Sequence, residues 1–197
     1  MTELPLDHRP VVVAIAGPNG AGKSTFYHAH LASAGLRFVN ADALASTLRL
    51  EPYAAARLAD TVRRQLVEQR ESFVFETVFS DPVGEKLTFL LDTAARGYAV
   101  VLCFIGLRSA RLSAERVAMR VSQGGHDVPT DKLVARFPRA LANLHRAIAT
   151  LPNVFVFDND DLRRPFRLLA VFAAGRLVRA ARPWPRWFRP LIRNRRA

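Results

Sequence analysis

The sequence predicts a three-layer α/β domain built on a parallel five-stranded sheet, and three observations predict it. Five apolar runs are nearly continuous rather than alternating, as is typical of strands buried on both faces of a parallel sheet. Segments with helical patterns separate these runs. A glycine-rich turn directly follows the first run. At 197 residues, the chain is long enough for one such domain with a sizeable core.

The predicted strands are the five apolar runs, which cover residues 11–16, 37–40, 73–76, 98–105 and 153–157. The only cysteine of the chain, Cys103, falls in the fourth run, and we expect a small buried core residue there rather than a reactive thiol. Near the end, RLLAVF and RLVRAA flank Ala174 and Gly175, which predicts a C-terminal β-hairpin.

The predicted helices lie between these strands and cover residues 23–34, 54–69, 82–96, 109–121 and 130–150. The third is expected to begin with Pro82 at its first position, after a cap at Ser80 or Asp81. The apolar stripe of the last helix is expected to turn Arg136 and Asn143 away from the core. The last two helices flank the hinge-like stretch SQGGHDVP, so we predict a mobile helical lid over about residues 109–150.

The glycine-rich turn reads GPNGAGKST and matches the P-loop pattern G-x-x-x-x-G-K-[ST]. Free amides at the start of a helix, together with the helix dipole, favour an anion such as phosphate. In the usual chemistry of this motif, Lys23 reaches the β- and γ-phosphates and the Ser24 hydroxyl ligates Mg²⁺. A turn that binds nothing is the alternative, and the complete motif after a strand disfavours it. The residues predicted to bind ATP are Gly17, Pro18, Asn19, Gly20, Ala21, Gly22, Lys23, Ser24 and Thr25 of the turn, together with Arg116.

Acidic residues follow three of the predicted strands, at the edge where ligands of open parallel sheets bind. Asp42 is placed to accept a proton from a substrate hydroxyl, or alternatively to cap the helix that follows. Glu76 is placed to orient Mg²⁺ through a water molecule or to hold a substrate hydroxyl, with Thr77 beside it. Asp158 fits the same pattern but is equally a turn residue, so we favour Glu76.

Arginines of the predicted lid could neutralise charge on a transferring phosphoryl group. Arg116 and Arg120 lie four residues apart on one helix, and Arg136 lies on the next. His126, between the adjacent glycines and the proline, is a weaker candidate for contacting substrate. The other histidines have no metal-ligand spacing, so a zinc site is not expected.

Residues 162–197 hold eleven arginines and no acidic residue, and they account for nearly all of the net charge of +12. We therefore divide the chain into a P-loop domain, residues 1–161, and a hairpin with a basic tail, residues 162–197. With Trp184, Trp187 and Phe188 interleaved, the tail could contact nucleic acid or an anionic surface, although no nucleic-acid-binding motif accompanies it. A solvated basic extension is the alternative. No secretory signal or transmembrane run is present, so we expect a cytoplasmic protein.

Taken together, these segments resemble the zeta-toxin family of P-loop kinases. The resemblance covers roughly residues 10–160 and is sharpest in the pattern R-V-x-x-R-V-x-x-G-G-H-x-V-P. The matching pieces are, in order, GPNGAGKST, NADALA, FETVFS, GYAVVLCFIG, RVAMRVSQGGHDVPTDKLVARFPRALANL and VFVFDN.

The resemblance implies an enzyme that uses ATP and Mg²⁺ to phosphorylate a hydroxyl of UDP-N-acetylglucosamine, and a possible antitoxin partner. It implies Lys23 on the phosphates and Asp42 as general base, with Glu76 and Thr77 near the substrate. It also implies that Arg120 and Arg136 clamp phosphate.

The sequence departs from the family pattern at two positions, where Val78 replaces a threonine and Ala135 replaces an arginine. Two other functions stay open beside the nucleotide-sugar kinase. One is a kinase acting on another metabolite, an antibiotic or a nucleoside. The other is a non-catalytic nucleotide switch or ATPase module.

Overall fold

The apolar runs form a single sheet in the computed structural model, which describes residues 4–123 and 128–192. The sheet has seven strands in the spatial order β2-β3-β1-β4-β5-β6-β7. The strands are β1 (Val11–Ala16), β2 (Arg37–Val39), β3 (Phe73–Thr77), β4 (Ala99–Gly106), β5 (Asn153–Asp158), β6 (Arg167–Ala173) and β7 (Arg176–Ala180).

The strand count is seven rather than the predicted five, because the C-terminal hairpin joins the main sheet. The first five strands pair in parallel, in agreement with the sequence. β6 then pairs antiparallel with β5, and β7 pairs antiparallel with β6. The predicted hairpin is therefore present, and it extends the sheet beyond β5.

The helices follow the predicted order, but two of them, at residues 41–48 and 189–192, were not predicted from the sequence, and one predicted helix starts late. They are α1 (Lys23–His30), α2 (Ala41–Leu48), α3 (Pro52–Glu68), α4 (Glu85–Ala95), α5 (Ala110–Ser122), α6 (Thr130–Thr150) and α7 (Arg189–Ile192). α4 begins at Glu85 rather than at Pro82, because Gly84 takes a left-handed conformation and becomes the N-cap. Asp81 still accepts a hydrogen bond from the Glu85 amide. It therefore contacts the first turn of the helix, as a predicted cap residue should, although the helix begins three residues later than predicted.

An apolar cluster covers each face of the sheet, as expected for a three-layer α/β domain. Successive residues of β1 point to opposite faces, so Val12 and Ala14 join one apolar cluster, while Val13 and Ile15 join the other. Cys103 is fully buried, as expected, and burial raises the pKa of its thiol. The core therefore lies on both sides of the parallel strands.

The residue Asn143 lies on the buried face of α6, and the expectation that it points away from the core is wrong. It is 4% exposed and lies beside Leu144, Ala140 and Ala147 of the same helix. A helical period places these positions on one face, and a buried amide is accommodated there because it finds hydrogen-bond partners.

Residues 187–192 of the basic tail pack against the sheet, so a solvated extension does not describe them. Trp187 and Phe188 are 8% and 0% exposed, and both belong to a core cluster. The indole of Trp187 donates a hydrogen bond to the Asp158 carboxylate at 3.2 Å. A Cβ added at Gly106 would lie only 2.1 Å from the Trp187 ring, which shows how closely the ring approaches the end of β4. These two aromatic rings are therefore not available to stack on bases.

None of the helices within residues 4–123 and 128–192 is both long enough and apolar enough to cross a membrane.

Replacing Trp187 by alanine should destabilise the protein by about 3–5 kcal/mol, because the loss of the buried indole leaves a cavity and removes one of the hydrogen-bond donors to Asp158. The free energy of unfolding in urea measures this loss. Arg186→Ala, one residue earlier and exposed, is the matched control and should change stability by less than about 0.5 kcal/mol. Equal effects of the two substitutions would contradict the docking of the tail.

Candidate functional site

The P-loop connects the end of β1 to the start of α1, as the motif predicts. Two glycines are required by its shape. A Cβ at Gly17 would lie 2.2 Å from the Ile105 carbonyl oxygen. Gly22 has φ 87°, and a Cβ there would lie 2.8 Å from Nδ2 of Asn159. The turn therefore keeps its backbone close to β4 and to the loop after β5.

Side chains from two other elements hold the P-loop in place. Nδ2 of Asn159, directly after β5, donates to the Ala21 carbonyl at 2.9 Å. The Ser113 hydroxyl on α5 donates to the Asn19 carbonyl at 2.7 Å. Both residues were missed by the sequence analysis, because a hydrogen bond to a backbone carbonyl leaves no motif.

The Lys23 ammonium is buried among groups of both signs. The residue is 6% exposed, and its Nζ donates to the Pro18 carbonyl at 3.1 Å and lies 3.8 Å from the Glu76 carboxylate. Burial lowers the pKa of Lys23, and the guanidinium of Arg120 lowers it further. The carboxylates of Glu76 and Asp42 oppose this shift of the pKa. An anion entering the P-loop would compensate the same desolvated cation.

Glu76 contacts several polar side chains at this edge of the sheet. Its Oε2 accepts from the Ser24 hydroxyl at 2.7 Å and from Nδ2 of Asn40 at 2.9 Å. The parallel register aligns Glu76 with Ile15 of β1, directly before the P-loop. Hydroxyl and carboxylate oxygens are the ligands that Mg²⁺ prefers. Ser24 and Glu76 therefore fit a Mg²⁺ ion held partly through water.

Asn40 caps α2, so the capping role considered for Asp42 is taken by another residue. The Oδ1 of Asn40 accepts from the backbone amides of Asp42 and Ala43 at 2.8 and 3.1 Å. Asn is among the preferred N-cap residues, and its position before Ala-Asp was the signal that sequence reasoning could have used. The Asp42 side chain is exposed, lies in the second position of the helix and lines the cleft.

These side chains face one open cleft of about 690 Å³. Its lining brings together five of the residues predicted to act in catalysis or substrate binding: Lys23, Asp42, Glu76, Arg120 and Arg136. Thr77 also lines it, as do Asn19 and Gly20 of the P-loop. The cleft thus brings the P-loop together with carboxylates and arginines from several other elements.

A family model described as Zeta toxin matches residues 41–167. The chain belongs to the zeta toxin family. No curated protein matches the chain at a significant level of sequence similarity.

Solved structures with the same fold include one from a two-component complex and one from a toxin–antitoxin system. The crystal structure of AvrRxo1-ORF1 with AvrRxo1-ORF2 and ATP aligns with 86% of this chain and 60% of that chain, at 20% identity and a TM-score of 0.67. The PezAT toxin–antitoxin system of Streptococcus pneumoniae aligns over 76% of this chain and 69% of that chain, at 15% identity and a TM-score of 0.58. The chain therefore spans about three fifths of the length of AvrRxo1-ORF1.

A third solved structure is a putative kinase from Chloroflexus aurantiacus, which aligns over 66% of this chain and 80% of that chain, at 18% identity and a TM-score of 0.51. At these identities the likeness shows the fold alone. All three structures agree with the P-loop kinase fold that the sequence predicts for this zeta toxin family member.

Three other candidates lie apart from the cleft or outside the described residues. Arg116 lies on α5 and packs beside Gly20 of the P-loop. Its guanidinium donates to the Asp160 carbonyl at 3.0 Å rather than facing the cleft. His126 lies outside the described residues. Asp158 accepts from Trp187 and pairs with Arg167 at 3.2 Å, so its carboxylate is used in holding the tail and the hairpin.

The far wall of the cleft holds a charged cluster on α3 and α4 that the sequence analysis did not find. Asp60 pairs with Arg63 on its own helix and accepts from Lys86 at 2.7 Å. Arg63 is 4% exposed and lies over the ring of Phe75 at 4.8 Å, and burial lowers its pKa to about 10. The sequence pattern indicates that α3 is a helix but does not say that it borders the P-loop cleft.

Replacing Asn40 by alanine should cost about 1–2 kcal/mol of stability, because α2 loses its N-cap and Glu76 loses one donor. Urea denaturation measures the change. Ser46→Ala on the exposed side of the same helix is the control and should be nearly neutral. An Asn40→Ala variant as stable as this control would contradict the capping role.

Proposed function

We propose that this zeta toxin family member transfers the γ-phosphoryl group of ATP to a hydroxyl of a small molecule, most specifically a nucleotide sugar such as UDP-N-acetylglucosamine. The observation that carries the proposal is the common cleft of Lys23, Asp42 and Glu76 with Arg120 and Arg136. Phosphoryl transfer is catalysed largely by positioning and electrostatic stabilisation, and these residues supply both.

In the proposed reaction, Asp42 accepts the proton of the acceptor hydroxyl as its oxygen bonds to the γ-phosphorus. The bond between that phosphorus and the bridging oxygen of ADP breaks, and the pair of electrons leaves with ADP. Lys23, Arg120 and Arg136 neutralise the charge spread over the transferring group. Their positions on α1, α5 and α6 would surround that group from three sides.

The proposal includes Mg²⁺ held by the Ser24 hydroxyl, with Glu76 acting directly or through water. When bound, the ion would neutralise charge on the β- and γ-phosphates. Because Glu76 accepts from Ser24 and Asn40, its carboxylate is already oriented toward the P-loop. Glu76 and Thr77 are also proposed to hold the acceptor, together with His126.

A protein partner is proposed from the comparison with solved structures. The complexes of AvrRxo1-ORF1 with AvrRxo1-ORF2 and of PezAT are named for paired chains, and the second is a toxin–antitoxin system. We propose that an antitoxin similarly restrains this protein. Contact of the exposed tail arginines with nucleic acid or an anionic surface stays a weaker proposal, since Trp187 and Phe188 are buried.

Replacing Asp42 by asparagine should reduce phosphoryl transfer to UDP-N-acetylglucosamine by at least about 100-fold, because general-base catalysis is lost. ATP binding should be retained, since Lys23 and the P-loop are unchanged. Transfer of labelled γ-phosphate and calorimetric binding of ATP measure the two properties. Asp7→Asn, exposed before β1 at the opposite edge of the sheet, is the matched control. Full transfer by Asp42→Asn would remove this residue from the mechanism.

A panel of acceptors read by mass spectrometry separates the nucleotide sugar from other small molecules. The expected product is heavier than its acceptor by one phosphate. Val78 and Ala135 depart from the family pattern, so a different phosphorylated acceptor would identify a kinase with another specificity. ATP hydrolysis that no acceptor stimulates and that yields no phosphorylated product would instead support an ATPase or nucleotide switch.

A further inference from the structure

The buried residue Asn143 uses both hydrogens of its side-chain amide on one loop. Its Nδ2 donates to the carbonyl oxygens of Phe79 and Asp81, each at 3.0 Å. The residue is 4% exposed, and it lies in the middle of α6. A primary amide is the neutral group with two N–H donors on one nitrogen, so this pair of bonds is specific to Asn at this position.

The loop that receives these bonds is the stretch after β3, and it forms one wall of the cleft. Residues 77–82 all line the cleft, directly beyond Glu76. Phe79 has φ 60°, a conformation that is unfavourable for a bulky residue, and its amide donates to the Thr77 hydroxyl at 3.1 Å. A loop with this backbone keeps its shape only when its surroundings hold it.

The helix that holds the loop also carries cationic side chains of the cleft. Arg136 and Arg139 line the cleft from α6, two turns and one turn before Asn143, respectively. Buried neighbours such as Leu144 and Ala147 fix this part of α6 against the sheet. The side chain of Asn143 therefore connects the loop wall to the helix that carries these cationic side chains.

We infer that Asn143 is a positioning residue that shapes the acceptor-binding wall of the cleft without touching the substrate. It acts through the carbonyls of Phe79 and Asp81, and thereby sets where Thr77 and the residues after it meet the acceptor. The kinetic part of the inference rests on the proposed phosphotransferase function, whereas the effect on the loop does not.

A second buried amide provides an internal comparison on the other side of the cleft. Asn159 is 3% exposed and donates to the P-loop carbonyl of Ala21 at 2.9 Å. Asn143 thus supports the loop on the proposed acceptor side, and Asn159 supports the loop on the proposed ATP side. Changing each to aspartate keeps the size and replaces the N–H donors by an oxygen that repels the facing carbonyl.

The kinetic experiment compares Asn143→Asp with Asn159→Asp in the full-length chain, with ATP and UDP-N-acetylglucosamine as substrates. Asn143→Asp should raise the KM for the sugar nucleotide at least about tenfold and change the KM for ATP less than about twofold. Asn159→Asp should do the reverse. Equal rises of both KM values in Asn143→Asp would overturn the inference, since they indicate a general structural defect.

Hydrogen exchange followed by mass spectrometry tests the loop without any acceptor. Peptides covering residues 77–82 should exchange at least about tenfold faster in Asn143→Asp, while peptides covering residues 17–25 should keep the wild-type rate. Unchanged exchange in residues 77–82 would overturn the inference. If the wild-type protein phosphorylates no acceptor but the exchange result holds, the proposed function fails and the role of Asn143 in shaping the loop stands.

The variant Asn143→Leu covers the case in which Asn143→Asp does not fold. Leucine has a similar size and no charge, and it leaves both carbonyls without their donors. It should give the same selective effect on the KM for the acceptor and on exchange of residues 77–82. Global unfolding of both variants would overturn the inference in favour of a role in fold stability alone.

Discussion

The rest of the site depends on one buried cation, the Lys23 ammonium at the carboxyl edge of the sheet. Its charge is separated from water and is balanced by the Pro18 carbonyl and the nearby carboxylate of Glu76. Glu76 in turn organises Ser24 and Asn40, and Asn40 begins α2. The buried charge thus links the P-loop, β3 and α2 into one polar network, because each desolvated group requires a partner.

The loops around the cleft are shaped by buried amides that belong to other elements. Asn159 supports the P-loop from the end of β5, and Asn143 supports the loop after β3 from α6. Both side chains donate to backbone carbonyls, so they specify the backbone rather than a neighbouring side chain. Such support fixes the loops around the cleft with neutral groups, and preorganised sites require loops that are held in this way.

Parts of the fold and site that depend on local patterns could be predicted from the sequence. Continuous apolar runs predict the parallel strands, and a helical period predicts α6. The P-loop is predicted by its sequence motif. The start of α4 was misplaced, since Gly84 rather than Pro82 decides where the chain turns. Asn143 was assigned to the wrong face, because a polar residue on an apolar stripe is expected to avoid burial unless tertiary partners satisfy it.

The sequence by itself determined the order of strands and helices, the phosphate-binding turn and the presence of acids at strand ends, because each of these is encoded by neighbouring residues. Only the tertiary structure decided which acids share a cleft with Lys23: Asp42 and Glu76 do, while Asp158 pairs with Trp187 and Arg167. It also decided that residues 187–192 of the basic tail contribute to the core. These outcomes depend on contacts between residues far apart in the chain, and no local pattern records them.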